Sequence, residues 1–238
     1  MLKRYLFLLL SVMTTAICFS QTRVLLLPVL HGLHKTNTAY NYDSLKNIVN
    51  RFQPGIVAVE IRSFDLAGDS SYLKKNYPLE MWMSPYWFPG KEIVGYDWLG
   101  EDLEGRMIPE GYWKNESQVK ELERQLNRDS LYSARFVPCG KIVEERLSLL
   151  KSGTVAEIMK KDGAAVKAYY TCLKSQLKGS AYESLVKFYD ERNERMKMNI
   201  GKLLADAPGT TVVILTGADH YPYLLDYLRT LNIELLQP

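Results

Sequence analysis

Three histidines are all that this chain of 238 residues contains, and two of them close strongly apolar runs. His31 follows VLLLPVL (residues 24–30), and His220 lies just beyond TVVIL (211–215) in the stretch TTVVILTGADHYPYL. Glu60 stands near the end of a third run, IVAVEI (56–61). Apolar runs without alternation mark strands covered on both faces. The carboxyl ends of such strands are where open α/β sheets hold ligands. Two imidazoles and one carboxylate gathered there suit a catalytic zinc or manganese ion. They leave a position open for a water whose pKa the metal lowers. Each residue also has a plain structural role open to it: a hydrogen-bonded turn for either histidine, a salt bridge to Arg62 for Glu60. His34 is either a substitute ligand for His31 or an ordinary loop histidine.

A helix before the last long strand adds a second observation. Its apolar stripe runs Leu185, Tyr189, Met196, Ile200, Leu203 at helical spacing, and Arg192 and Asn193 fill the gap in that stripe. An inward arginine costs several kcal/mol unless it is paired. Glu60 or Asp97 at the sheet edge would pair it; alternatively its stem packs inside and its head reaches solvent. Glu144, Glu145 and Arg146 read as the solvated face of another helix.

These residues need elements to position them. Asp43 or Ser44 can cap a helix whose apolar positions are Leu45, Ile48, Val49 and Phe52, and Pro54-Gly55 stops it. Strand, helix and strand over residues 24–61 make a βαβ unit, requiring a parallel pair with a right-handed crossover. Pro28 is a flaw in the first strand, because it removes a ladder donor. Residues 63–138 are rich in aromatics and broken by prolines; within them EIVGYDW (92–98) reads as a short strand ending at Asp97, and 116–127 as a solvated helix. Residues 141–206 are helical in pattern almost throughout. A strand (211–215), a helix (222–231) and a short strand (233–236) follow. The expected fold class is α/β, a mostly parallel sheet built from two βαβ units. A large, mainly helical, aromatic-rich insertion (63–206) caps its carboxyl edge.

Residues 1–20 read as a secretory signal peptide: Lys3 and Arg4, an apolar stretch, then Cys18-Phe19-Ser20 before Gln21. The apolar part is shorter than the roughly 20 residues of a spanning helix. A lipoprotein would use Cys18, which Ile17 fits poorly. The expected product is exported, periplasmic or extracellular, a single domain over residues 21–238. The chain carries 30 Lys+Arg against 27 Asp+Glu; without Lys3 and Arg4 the basic count is 28, close to neutrality. Nothing in that balance points to nucleic acid or an anionic membrane. Cys139 and Cys172 either pair or stay buried thiols; neither has the CxxC neighbour of a thiolate zinc site.

The tail DERNERMKMNIGKLL…TTVVILTGADHYPYLLDYL resembles the end of the TraB/PrgY/Tiki family, where an Arg-Asn pair on a helix precedes a hydrophobic strand and a Gly-x-x-His motif. Arg192-Asn193 and Gly217-Ala-Asp-His220 match those features. VLLLPVLH and VAVEIR occupy the places of the family's first Gly-x-x-His and strand-end glutamate, a pattern shared with erythromycin-esterase-like and haem-binding ChaN-like proteins. The resemblance covers about 100 residues at the two ends. It implies a metal-dependent hydrolase, in the Tiki branch a metalloprotease, using manganese, cobalt or zinc on a peptide or small-molecule substrate. His31 and His220 would be ligands, Glu60 ligand or general base, and Arg192 and Asn193 positioning groups that steady an oxyanion. Pro28 replaces the glycine of the first motif. Two other outcomes stand beside this one. One is a periplasmic protein binding haem or a similar apolar ligand, with Trp82, Trp87 or Trp98 lining its pocket. The other is an inactive scaffold of the same fold.

Overall fold

A computed structural model describes residues 21–238; the leader reading of residues 1–20 lies outside the described residues. Five strands form one all-parallel sheet: β1 (Arg23–Val29), β2 (Ile56–Val59), β3 (Glu92–Gly95), β4 (Thr211–Gly217) and β5 (Glu234–Leu235), in the order β3-β2-β4-β1-β5. Helix α1 (Tyr42–Arg51) joins β1 to β2. Between β2 and β3 stand α2 (Ser70–Asn76), α3 (Leu79–Trp82) and α4 (Ser84–Trp87). After β3 come α5 (Tyr112–Asn115), α6 (Gln118–Arg128), α7 (Ser130–Arg135), α8 (Val137–Ser152), α9 (Val155–Leu177) and α10 (Glu183–Ala205). Helix α11 (Tyr221–Leu228) joins β4 to β5.

The strands of each βαβ unit are parallel, as expected, but they are not neighbours. Strand β4 lies between β1 and β2, and β1 lies between β4 and β5. The two units are therefore interleaved. Their crossovers run in opposite directions, so right-handedness sends α1 and α11 to opposite faces. Odd-numbered strand residues (Leu25, Leu27, Val57, Val213) pack with Leu45 and Val49 of α1. Even-numbered ones (Val24, Leu26, Ala58, Ile214) pack with Met196 and Ile200 of α10 and Leu224 of α11. Both faces are covered, which is why the strands read as unbroken apolar runs. Strand β3, inside the otherwise helical insertion, extends the sheet on the far side of β2.

Pro28 costs this sheet little. The even residues of β1 turn their backbone groups toward β5: Glu234 and Leu236 donate to the carbonyls of Thr22 and Val24. Strand β5 pairs with Arg23 and Val24 only. The missing N–H of Pro28 therefore faces ground that β5 has already left. Its carbonyl accepts from the Tyr40 hydroxyl at 2.9 Å.

Cys139 of α8 and Cys172 of α9 are disulfide-bonded across 33 residues. Closing a loop of that length stabilises by about 3–4 kcal/mol on the chain-entropy account. Cys139→Ser/Cys172→Ser is expected to lower the melting temperature, and reductant to lower that of the native chain alone; equal melting curves for the two proteins without reductant would contradict it. Among the described residues no helix is long and apolar enough to cross a membrane.

Candidate functional site

Interleaving decides which groups meet. Strands β2, β4 and β1 are neighbours, so their carboxyl ends bring Glu60, the Gly217–His220 turn and His31 together. Asp97 follows β3 on the same edge. Glu60 continues the even phase of β2, the phase that faces α10. Its Oε2 accepts the Gly217 N–H at 2.7 Å and its Oε1 accepts from Arg192 Nη2 at 2.8 Å. Arg192 Nε and Nη2 also grip Asp97, both at 2.9 Å. The gap in the α10 stripe is thus filled by an inward, paired arginine, its side chain 15% exposed. Arg62, the alternative partner for Glu60, is occupied elsewhere: it binds Asp65 bidentately at 2.7 Å, and Tyr72 and Tyr77 donate to the same carboxylate.

Burial works against the Arg192 cation, but the charges of Asp97 and Glu60 outweigh it and raise its pKa further above the ordinary value. Burial lifts the Asp97 carboxyl above its usual range, with the Arg192 charge pulling the other way. His220 is buried, and its Nδ1 lies 2.7 Å from the amide oxygen of Asn193. With that oxygen accepting, the ring proton is on Nδ1 and the Nε2 lone pair turns inward, 3.5 Å from Glu60 Oε1. Burial and the neighbouring Arg192 cation push His220 down to about 3, so it is a neutral imidazole at ordinary pH. Asn193 spends its oxygen orienting His220.

His31 begins a 3₁₀ turn (His31–Lys35) with φ of 51°, a left-handed conformation uncommon outside glycine. Its Nδ1 lies 2.6 Å from Oε1 of Glu80, a fully buried carboxylate on α3. Burial lowers the His31 pKa, but the Glu80 hydrogen bond and the charges of Glu80, Glu60 and Asp219 outweigh it, leaving a net rise. Its side chain is 44% exposed. His34 has no such opening. Its Nε2 accepts the Leu30 N–H at 2.9 Å and its Nδ1 bonds the Tyr40 carbonyl at 2.7 Å, so both nitrogens are spent on the turn.

Gly217 lets the two walls close on each other. A Cβ there would stand 3.1 Å from His31 Nε2 and 3.4 Å from Glu60 Oε2. Gly217→Ala is expected to leave the melting temperature within a few degrees while pushing His31 aside. The check is the His31 ring resonance in NMR: it should move in Gly217→Ala, and an unmoved ring would refute the close approach.

The chain matches no family model, no curated protein and no solved structure.

His31, Glu60, Asp97 and Arg192 open on a cavity of about 340 Å³ whose walls include Met81, Leu99, Trp113, Phe188 and Tyr189. Among the described residues Arg192 Nη1 has no hydrogen-bond partner, which leaves its two N–H groups for whatever enters. The aromatic insertion does line this cavity, although Trp82, Trp87 and Trp98 do not. Trp98 is buried and donates to Glu104 at 2.9 Å.

His31 and His220 are each bonded through Nδ1, which leaves Nε2 without a hydrogen bond. Glu60 is less open: both oxygens already accept hydrogen bonds, one of them from a guanidinium cation. Among the described residues no group of three or more His, Cys, Asp or Glu side chains is arranged to hold an ion. Neither His31 nor His220 spends its Nε2 on a hydrogen bond, whereas Glu60 has no oxygen to offer unless it releases Arg192.

Two residues outside the sequence-derived set complete the site. Glu80 holds His31. Arg146, expected on a solvated face, is instead 10% exposed and binds Asp162 at 2.7 and 3.0 Å and Asp219 at 2.5 Å. It ties α8 and α9 to the turn that carries His220. The expectation holds for its neighbours, since Glu144 and Glu145 are exposed.

Proposed function

We propose that this chain is a hydrolase of neutral acyl compounds, a peptide or a small ester or amide, in which the His31–Glu80 pair activates water. The observation that carries the reading is the 2.6 Å bond from a buried carboxylate to Nδ1 of an imidazole that opens on the Arg192 cavity. Glu80 accepting from Nδ1 fixes the tautomer with its lone pair on Nε2, the form a general base needs. Water bonded to Nε2 gives up its proton as its oxygen attacks the carbonyl carbon, and Glu80 stabilises the imidazolium that results. The free N–H groups of Arg192 Nη1 receive the oxygen on which negative charge develops. The imidazolium then returns the proton to the leaving group. Glu60 and Asp97 hold Arg192 in place, and Asn193 holds His220.

A second reading is favoured by the matching Nδ1 bonds of His31 and His220. A divalent manganese, cobalt or zinc ion held by the two Nε2 atoms would supply the lowered water pKa; Glu60 would then serve as ligand or base. The disulfide between α8 and α9 supports an oxidising, exported location.

Turnover of neutral acyl esters by the purified chain tests both. Activity that survives exhaustive chelation and disappears in His31→Ala supports the first reading. Activity lost on chelation and restored by a divalent metal supports the second. A chain that turns over none of them, with or without metal, is no acyl hydrolase.

A further inference from the structure

We infer that the cavity selects acyl compounds carrying an uncharged aromatic ring next to the carbonyl, the ring lying between Trp113 and Phe188. The inference rests on the hydrolase reading for where the carbonyl sits, but not for where the ring sits.

Among the walls of the cavity are aromatic side chains from two separate elements, Trp113, Phe188 and Tyr189, and each is held from behind. Trp113 of α5 donates its indole N–H to Asn76 at 3.1 Å and meets Tyr112 edge to face at 4.9 Å. Phe188 of α10 stacks on Trp98 at 5.6 Å and 29°. Tyr189 donates its hydroxyl to Glu123 at 2.7 Å. Trp113, Phe188 and Tyr189 are nonetheless only partly buried, because each turns a surface to the cavity. Core aromatics would be covered on both sides; these are fixed on one and open on the other. A ring entering between them loses little further freedom to the walls, since the walls are already ordered. About 150–250 Å² of a buried aromatic side chain leaves water in such a place.

Charge favours the same class. Glu60 and Asp97 face the cavity against the single guanidinium of Arg192. Lys120 at the mouth is paired with Glu123 at 2.7 Å. A carboxylate on the substrate would meet two like charges, and the one guanidinium facing it already has its charge shared between them. The volume of about 340 Å³ admits one ring and the atoms of the scissile linkage rather than a long chain.

Binding can be read apart from turnover. The probes are N-acetyl-phenylalanine amide, N-acetyl-alanine amide and N-acetyl-aspartate amide, followed by saturation-transfer NMR on the full chain. The phenylalanine probe is expected to bind roughly tenfold or more tighter than the alanine probe, the range a hydrophobic pocket discriminates. The aspartate probe should bind weakest. Phe188→Leu and Trp113→Leu should each reduce the phenylalanine preference to about threefold or less, the loss falling mainly on the phenylalanine probe. Two such variants keep the test sound if one of them folds poorly. Equal affinities for the phenylalanine and alanine probes, no binding of any probe, or tightest binding of the aspartate probe would overturn the inference. Ring-selective binding without hydrolysis of any matching ester would leave it standing and refute the hydrolase reading instead.

Discussion

Under the proposed hydrolase mechanism Glu80→Gln is expected to lower kcat by about 10²–10⁴, close to the loss for His31→Ala, and to move the acid limb of the pH–rate profile downward. The sign follows from what Glu80 does to His31. In the proposed mechanism the base acts as neutral imidazole, so activity would rise with pH through the imidazole pKa. In the native chain the Glu80 bond and the charges of Glu80, Glu60 and Asp219 together overcome burial and hold that pKa above 6.5. Glutamine removes the charge and keeps the shape, so burial gains and the limb shifts to lower pH. Rate falls all the same, because the carboxamide neither stabilises the imidazolium nor enforces the Nδ1–H tautomer. The second carboxylate oxygen, Oε2, is buried and has no partner among the described residues. Glutamine must place either its oxygen or its amide nitrogen there, and a buried unpaired amide costs about 1–3 kcal/mol. Some loss of stability therefore accompanies the kinetic effect. A Glu80→Gln protein with native kcat and an unmoved acid limb would remove the pair from the mechanism. Glu80→Asp serves as the conservative control: it should keep the raised limb and recover part of the rate.

Much of this site is legible in the amino-acid sequence. His31, Glu60 and His220 declare themselves because strand-end polar residues stand out against unbroken apolar runs. Arg192 and Asn193 do so because they interrupt a helical stripe at two core positions. Parallel β1, β2 and β4 with helices on both faces follow from the same runs. Adjacency is what local sequence does not carry. A βαβ reading pairs strands that are neighbours in the chain, and no local feature says that β4 will enter between β1 and β2. That insertion is decided by how two crossovers share two faces, which is a property of the whole sheet. Glu80 is hidden for a different reason. It lies on a four-residue helix in a proline-broken aromatic stretch, where periodicity has too few turns to register. Its one signal is a lone carboxylate in Leu79-Glu80-Met81-Trp82, a charge flanked by residues with strong reason to be buried. Arg146 misleads because an arginine beside two glutamates looks solvated; its partner Asp219 is far away in sequence, and Asp162 lies on the next helix. Pro28 looks like damage to the first motif, yet the strand edge it faces has no partner to lose.

Arg192→Met is expected to destabilise the fold by about 3–5 kcal/mol, the cost of breaking a buried ion pair from one side. Methionine fills most of the space, so lost volume is a small part of the effect. The larger part is electrostatic. Glu60 and Asp97 are both buried, and Arg192 is the cation that joins them. Without it the two buried carboxylates are left facing each other, and at least one must take up a proton for the fold to persist. Stability of the variant should therefore improve as pH falls toward the carboxylate range, the reverse of the usual acid dependence. Adding Asp97→Asn should restore part of the loss by removing one of the two stranded charges, and the double-mutant cycle measures how much of the arginine's effect runs through Asp97. The alternative that the sequence leaves open, an arginine whose stem packs inside and whose head reaches solvent, makes the opposite forecast. In that case Arg192→Met would cost under about 1 kcal/mol, as for an exposed ion pair, and Asp97→Asn would simply add its own effect. Urea titrations of the four proteins at pH 5 and pH 7.5 separate the two outcomes.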